Sequence, residues 1–377
     1  MRIVQLANFY TPTSGGLRTA VDTIGHGYLA KGHERVLIVP GRHRTETAGD
    51  HGLVITLPGV PVSGGYRMVP RPASVLRELD RLRPDSVEVS DKATMVTAGD
   101  WARRHRAGAV LFSHERLDTW LAARAPWLRT AGLLEPAVAR WNRRLAARFD
   151  VVAVTSAFAE DEFARLGVRS IHRVQLGVDL ATFRPGPRLS DNGPTRLAYA
   201  SRLSPEKNPG AVIEAVKVLV RNGTDVSLDV YGTGSALAGL RRAAVGLPVT
   251  FHGYVAGRAA LADRLAAADV AFAPSAAETF GLSVLEALAC GTPVVTADTG
   301  GAGELLAPGA GVAVPATGAG IAAGVTEIVS WPVAARRAAA RTQAERFPWS
   351  ATVDSMLRLH TTVADDDVVP TARNEVR

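Results

Sequence analysis

The stretch "RIVQLANFYTPTSGGLRTAVDTIGHGYLAKGHERVLIVP", Arg2 to Pro40, decides the fold class. An apolar run, a glycine turn at Gly15-Gly16, a segment of helical periodicity and a second apolar run follow one another within about forty residues, the length of a βαβ unit in a parallel sheet. Further apolar runs, "GLVITLP", "SVEVS", "AVLFSHE" and "VVAVTS", alternate with helical segments through Ser156. A second half restarts at "TRLAYASRL" and repeats the alternation through "VSLDVYGTG", "VTFHGYV", "VAFAPS" and "TPVVTAD". The expected architecture is α/β, two doubly wound domains facing a central cleft, where ligands bind beyond the C-terminal ends of the strands. The expected boundaries are 1–183, a Pro/Gly-rich linker at 184–195, a second domain at 196–347, a helix at 348–363 completing the first domain, and a disordered tail at 364–377.

A chain of 377 residues fits two domains. Its 47% hydrophobic and 21% charged residues are those of a globular protein. One cysteine, Cys290, rules out an internal disulfide and points to a reducing compartment. "MRIVQLANFY" does not resemble a leader, and no apolar run approaches the ~18 residues of a membrane span. A cytoplasmic location is the expectation. Lys and Arg number 43 against 36 Asp and Glu, a net +7. That balance suits nucleic acid, an anionic membrane or a phosphorylated substrate. Nucleic acid is not expected, because the basic residues are not interleaved with a binding motif.

Four short segments carry the candidate chemistry. In "ETFGLSVLE", Glu278 lies in a loop after a strand and Glu286 lies inside the following helix, with Gly281 at its start. A bare helix N-terminus stabilises an anion, and a glycine lets a phosphate approach. Ser283 and Glu286 also stand in S-x-x-E spacing, so a capping box would explain Glu286 without a ligand. In "ASRLSPEKNPG", Arg202 and Lys207 flank a Ser-Pro turn after the first strand of the second half, two cations for a diphosphate or two solvated loop charges. "LFSHERLD" puts His114 and Glu115 after a strand; alternation allows at most one to serve a site there. Gly15-Gly16 fits neither a Walker A motif nor G-x-G-x-x-G; the sequence has no C-x-x-C or H-E-x-x-H, and no D-x-D stands near a strand end.

Together these residues resemble the retaining glycosyltransferases of family 4, with their GT-B fold of two Rossmann-like domains. Glu278 and Glu286 match the family's E-x7-E element, and "SRLSPEK" matches its "GRL…EK" element with Ser201 in place of the usual glycine. The Gly15-Gly16 loop, "LGVD" at Leu176 to Asp179 and His114 also fit. The resemblance implies that Arg202 and Lys207 hold the donor diphosphate with the backbone around Phe280, Gly281 and Leu282. Glu286 would take the ribose, Glu278 the transferred sugar, and His114 the C6 hydroxyl near the reacting centre. Gly15 and Gly16 would lie against the leaving diphosphate. It implies no metal or other cofactor beyond the nucleotide-sugar substrate.

Within the family, "QLANFYTPTSGGLRTAVDTIG" and "SHERLD" look most like GDP-mannose-dependent α-mannosyltransferases of phosphatidylinositol mannoside synthesis. Transfer of mannose from GDP-mannose to a glycolipid is therefore expected. A UDP-sugar with a soluble acceptor, or a sugar-nucleotide epimerase of the same fold, remains as an alternative. Arg124 to Phe149 interleaves six arginines with Trp127, Leu128, Leu133, Leu134, Trp141 and Leu145. This segment is either an amphipathic surface for anionic lipid or a core-packing helix pair with solvated arginines.

Overall fold

The computed structural model describes residues 1–11, 15–62, 65–124, 134–186 and 193–365, and its contacts divide the chain into two compact units. The first comprises Met1–Gln175 with the chain from Trp349 onward; the second is Leu176–Pro348.

The first unit holds β1 (Arg2–Leu6), β2 (Glu34–Gly41), β3 (Thr45–Gly49), β4 (Gly52–Pro58), β5 (Val60–Pro61), β6 (Arg67–Met68), β7 (Ser86–Val89), β8 (Gly108–Ser113), β9 (Val151–Val154) and β10 (Ile171–Arg173). Eight of them form one sheet in the order β10-β9-β8-β7-β1-β2-β4-β3. All pairs in it are parallel except β3 with β4. Strands β7, β8 and β9 are buried along their whole length, as a parallel sheet covered on both faces requires. The edge strand β3 reads "TETAG" and is exposed throughout, which suits its polar sequence. The chain reverses direction across the sheet between β1 and β7, so the loops after these strands diverge to opposite faces and leave a crevice.

The helix Trp349–Ala364 docks on this unit. Gly27, in the helix Gly16–Ala30, lies so close to it that a Cβ there would stand 2.3 Å from Val353 Cγ2. Beneath, Glu88 in the middle of β7 is fully buried and accepts hydrogen bonds from Gln5 (2.9 Å) and Tyr28 (2.6 Å). His360 stands 3.1 Å from the same carboxylate through Nε2 and 2.7 Å from Ser86 Oγ through Nδ1. Each buried polar atom of Glu88 is thus satisfied, the condition for its place in a core.

The second unit is one parallel six-stranded sheet of β11 (Thr195–Ala200), β12 (Val226–Tyr231), β13 (Val249–Gly253), β14 (Val270–Ala273), β15 (Val294–Ala297) and β16 (Gly311–Val314). Its order, β13-β12-β11-β14-β15-β16, is the doubly wound nucleotide-binding order, with the switch point between β11 and β14. The helices Pro209–Arg221 and Gly318–Ser330 cover one face, packing Val212, Ile213, Val216, Ile321, Val325 and Ile328 against Leu197, Leu228 and Val270.

The expected domain boundary at 183 is corrected. Leu176–Phe183 belongs to the second unit, because Val178 donates its N–H to Phe347 (2.9 Å) and Arg341 donates to the Phe183 carbonyl (2.9 Å). Thr195, expected in the linker, already pairs with Val226 as the first residue of β11. Residues 187–192 of the expected linker, and the tail beyond 365, lie outside the described residues. Among the described residues, no single helix is long and apolar enough to cross a membrane.

Candidate active site

In the second unit the site is built from the loops after β11 and β14, the two strands at the switch point. The first loop ends in a 3-10 turn, Pro205–Lys207, and is stitched to the second. Ser275 Oγ donates to the Glu206 carbonyl at 2.6 Å, and Asn208 Nδ2 donates to the carbonyls of Ala316 (2.9 Å) and Pro274 (3.4 Å). This brings Lys207 Nζ to 2.6 Å from Glu278 Oε2, both about four-fifths buried. Two of the candidate residues, 71 positions apart in sequence, therefore share one contact. Arg202 is half-exposed, its guanidinium 3.7 Å from Glu206.

Glu278 is held in place through its backbone. Its N–H donates to the Ser275 carbonyl (3.3 Å), and its own carbonyl accepts from Gly301 (2.6 Å). The loop then turns at Gly281, whose φ of 103° and close neighbours Val284 and Ala302 (3.2–3.3 Å from a would-be Cβ) demand glycine. The helix Leu282–Ala289 starts there with amides that have no acceptor within the helix. The Phe280 ring is buried, which leaves its backbone as the part facing the loop.

The capping-box reading of Glu286 fails. Gly281 is the N-cap and no side chain caps the helix, so Ser283 lies two positions too late. Glu286 instead meets Arg258 at 3.2 Å. Burial pushes its pKa up to about 7, against the pull of the Arg258 guanidinium. Arg258 was not found by sequence reasoning. A signal existed, because a cation at the first position of the helix Arg258–Ala266 opposes the helix dipole and asks for a partner.

In the first unit, Gly15 caps the helix Gly16–Ala30 directly beyond β1, with open space around it. His114 follows β8, its Nε2 3.3 Å from Ser90 Oγ beyond β7 and its ring 4.2 Å from that of Phe112. Burial pushes its pKa down to about 4, so the imidazole is neutral at pH 7. Glu115 is exposed. Sequence reasoning also missed Asn8 and Asp91, which join the loops after β1 and β7. Asn8 Nδ2 donates to Asp91 Oδ2 (3.2 Å) and Thr94 Oγ1 (3.0 Å), while its Oδ1 accepts from Val69 N–H (2.9 Å). Burial raises Asp91 to about 6.

The basic segment is settled in part. In the helix Leu134–Ala146, Leu134 and Leu145 face the core, while Arg140, Arg143, Arg144 and Trp141 point outward, the last 39% exposed. Trp127, Leu128, Arg129 and Leu133 lie outside the described residues.

Two Rossmann-like units with phosphate-binding features at a switch point define a class, and comparison with known proteins identifies it. Residues 14–182 match the family model described as Glycosyltransferase Family 4, and residues 184–346 match that described as Glycosyl transferases group 1. The chain belongs to the family 4 glycosyltransferases, enzymes of hexosyl transfer with the GT-B fold. A relative from Mycobacterium tuberculosis (strain ATCC 25177 / H37Ra), a GDP-mannose-dependent alpha-(1-6)-phosphatidylinositol dimannoside mannosyltransferase, is 44% identical over 95% of each chain. A GDP-mannose-dependent alpha-mannosyltransferase of Mycolicibacterium smegmatis is 29% identical over 82% of each. In fold alone, the chain matches sucrose-phosphate synthase from Thermosynechococcus elongatus with a TM-score of 0.77 at 20% identity, over 96% of this chain and 98% of that one.

Proposed function

We propose that this enzyme transfers mannose, with retention of configuration, from GDP-mannose to a phosphatidylinositol mannoside. The observation that carries this reading is the 44% identity to the dimannoside mannosyltransferase, which extends over 95% of both chains. In the transfer, the acceptor hydroxyl oxygen bonds to the sugar's anomeric carbon as the bond from that carbon to the diphosphate breaks. The hydroxyl proton passes to the departing diphosphate oxygen, which keeps the electron pair of the broken bond and leaves as GDP. Arg202, Lys207 and the first-turn amides beyond Gly281 would take the added charge, preorganised for it. Lys207 has three donor protons and can keep Glu278 while reaching a phosphate. Glu278 would accept hydroxyl protons of the mannose, Glu286 those of the ribose, and neutral His114 that of the C6 hydroxyl. Gly15 and Gly16 would lie against the leaving diphosphate.

Because fixed cations serve the leaving group, activity should survive excess EDTA. A glycolipid acceptor places the reaction at a membrane surface, taken here as its cytosolic face. The outward arginines Arg140, Arg143 and Arg144 with Trp141 would supply an electrostatic contact to anionic lipid. The deciding experiment incubates purified enzyme with labelled GDP-mannose or UDP-glucose, with and without a phosphatidylinositol dimannoside. Label passing from GDP-mannose to lipid is expected. Transfer only from UDP-glucose, or donor turnover without acceptor, overturns the reading.

A further inference from the structure

The Arg258–Glu286 pair is unexplained by folding. A guanidinium at the first position of a helix is repelled by the dipole, and here it is entered through Gly257 at a φ of 91°. It nevertheless has two partners, although its side chain is 42% exposed. Its carbon lies 4.8 Å from the centre of the buried Phe183 ring, and Nη2 lies 3.2 Å from Glu286 Oε1. Phe183 is in turn fixed by Arg341, which donates to its carbonyl at 2.9 Å. The arginine is therefore clamped between an aromatic face and a carboxylate.

We propose that Arg258 is a positioning residue that keeps Glu286 ionised and aimed, so that the carboxylate can receive both hydroxyls of the donor's ribose diol. The proposal rests on the ribose reading of Glu286. A carboxylate offers about four lone-pair sites, and one contact from Arg258 leaves enough for two hydroxyl donors. A neutral carboxylic acid would present a proton of its own and lose one of those acceptances.

The surroundings leave Arg258 as the group that decides the charge. From the helix Val333–Ala344, Arg337 and Arg341 are spent on the carbonyls of Cys290 (3.4 Å) and Ala289 (3.0 Å). Cys290 on Glu286's own helix is a buried thiol pushed up to about 12, hence neutral. Asp179 faces Arg258 rather than the glutamate, and Glu304 is the acidic group of the adjoining turn Ala302–Leu305. Strands β14 and β15 carry no charge. The value of about 7 already includes the downward pull of Arg258 against burial, so loss of Arg258 moves the titration of Glu286 upward, away from the ionised form at neutral pH.

The test measures calorimetric affinities for GDP and 2′,3′-dideoxy-GDP between pH 5.5 and 9 on the full chain and on Arg258→Ala, Arg258→Lys and Glu286→Gln. The ligand's terminal phosphate titrates near ~6 in both compounds and cancels in their ratio. In the unaltered enzyme, the preference for GDP over the dideoxy compound should grow as pH rises through about 7. In Arg258→Ala its midpoint should move up, costing GDP about five-fold at pH 7 for the first pH unit of movement, with recovery by pH 9. Arg258→Lys should restore most of the midpoint. A preference in Arg258→Ala that is unchanged, or lowered equally at every pH, overturns the inference alone. GDP binding by Glu286→Gln as tight as in the unaltered enzyme overturns the ribose reading and the inference with it.

Discussion

Under the proposed function, single side chains divide into those that would meet the charge of the donor and those that would meet its hydroxyls. Arg202, half-exposed and lightly held by Glu206, has little to lose on folding and its charge to offer a phosphate. Arg202→Ala should weaken GDP binding by about 1.5–3 kcal/mol, the range of a charged hydrogen bond, in a calorimetric titration. Glu278→Gln should lower kcat while leaving GDP affinity nearly intact, since the proposed partner of Glu278 is the sugar; equal loss of both would contradict that role. Glu286 has a cost in stability. Its pKa in the folded chain, about 7, stands above the ordinary 4.5, so the stability present below 4.5 is lost as pH rises through 7. Glu286→Gln should therefore gain up to about 3 kcal/mol on the unaltered enzyme at pH 8 and little at pH 5, read from denaturant unfolding at the two pH values.

Among the elements, the terminal helix Trp349–Ala364 depends on a buried polar contact as well as on apolar packing. His360 and Glu88 are both fully buried, and the histidine's hydrogen bond is a cause that draws the Glu88 pKa down against its burial. The depressed value means that this stability is present above the ordinary carboxylate range and lost as acid titrates Glu88. His360→Ala leaves the carboxylate buried with one partner fewer and should cost ~3–5 kcal/mol in chemical denaturation. No such ledger attaches to the helix Leu134–Ala146, whose arginines are solvated. Its inward leucines mark it as a core helix, and its outward face is free to meet a charged surface.

For the whole molecule the open question is that surface. Each arginine near an anionic bilayer contributes on the order of 1 kcal/mol, so under the proposed function Arg140, Arg143 and Arg144 would supply a reversible contact. The enzyme should cosediment with vesicles containing phosphatidylinositol at low salt, release at high salt, and ignore neutral vesicles. Replacing the three arginines with glutamine should abolish cosedimentation. Retention by the triple variant would place the contact elsewhere, and no binding by the unaltered enzyme would leave the acceptor to reach it from solution.

The sequence by itself determined the two α/β repeats, because strands buried in a parallel sheet read as short, mostly apolar runs that alternate with helical periodicity. It also determined the pairing of chemistry with strand ends, since "SRLSPEK" and "ETFGLSVLE" each follow such a run. Only the tertiary structure decided which partner each charge has. Lys207 with Glu278 and Arg258 with Glu286 are pairs separated by 71 and 28 positions, and no local periodicity reports them. It likewise decided that Leu134 and Leu145 turn inward, because an amphipathic pattern names a face without naming what covers it. It moved the unit boundary from 183 to 175 for the same reason. Leu176–Phe183 follows the hydrogen bonds of Phe347 and Arg341, which lie more than 150 residues further along the chain.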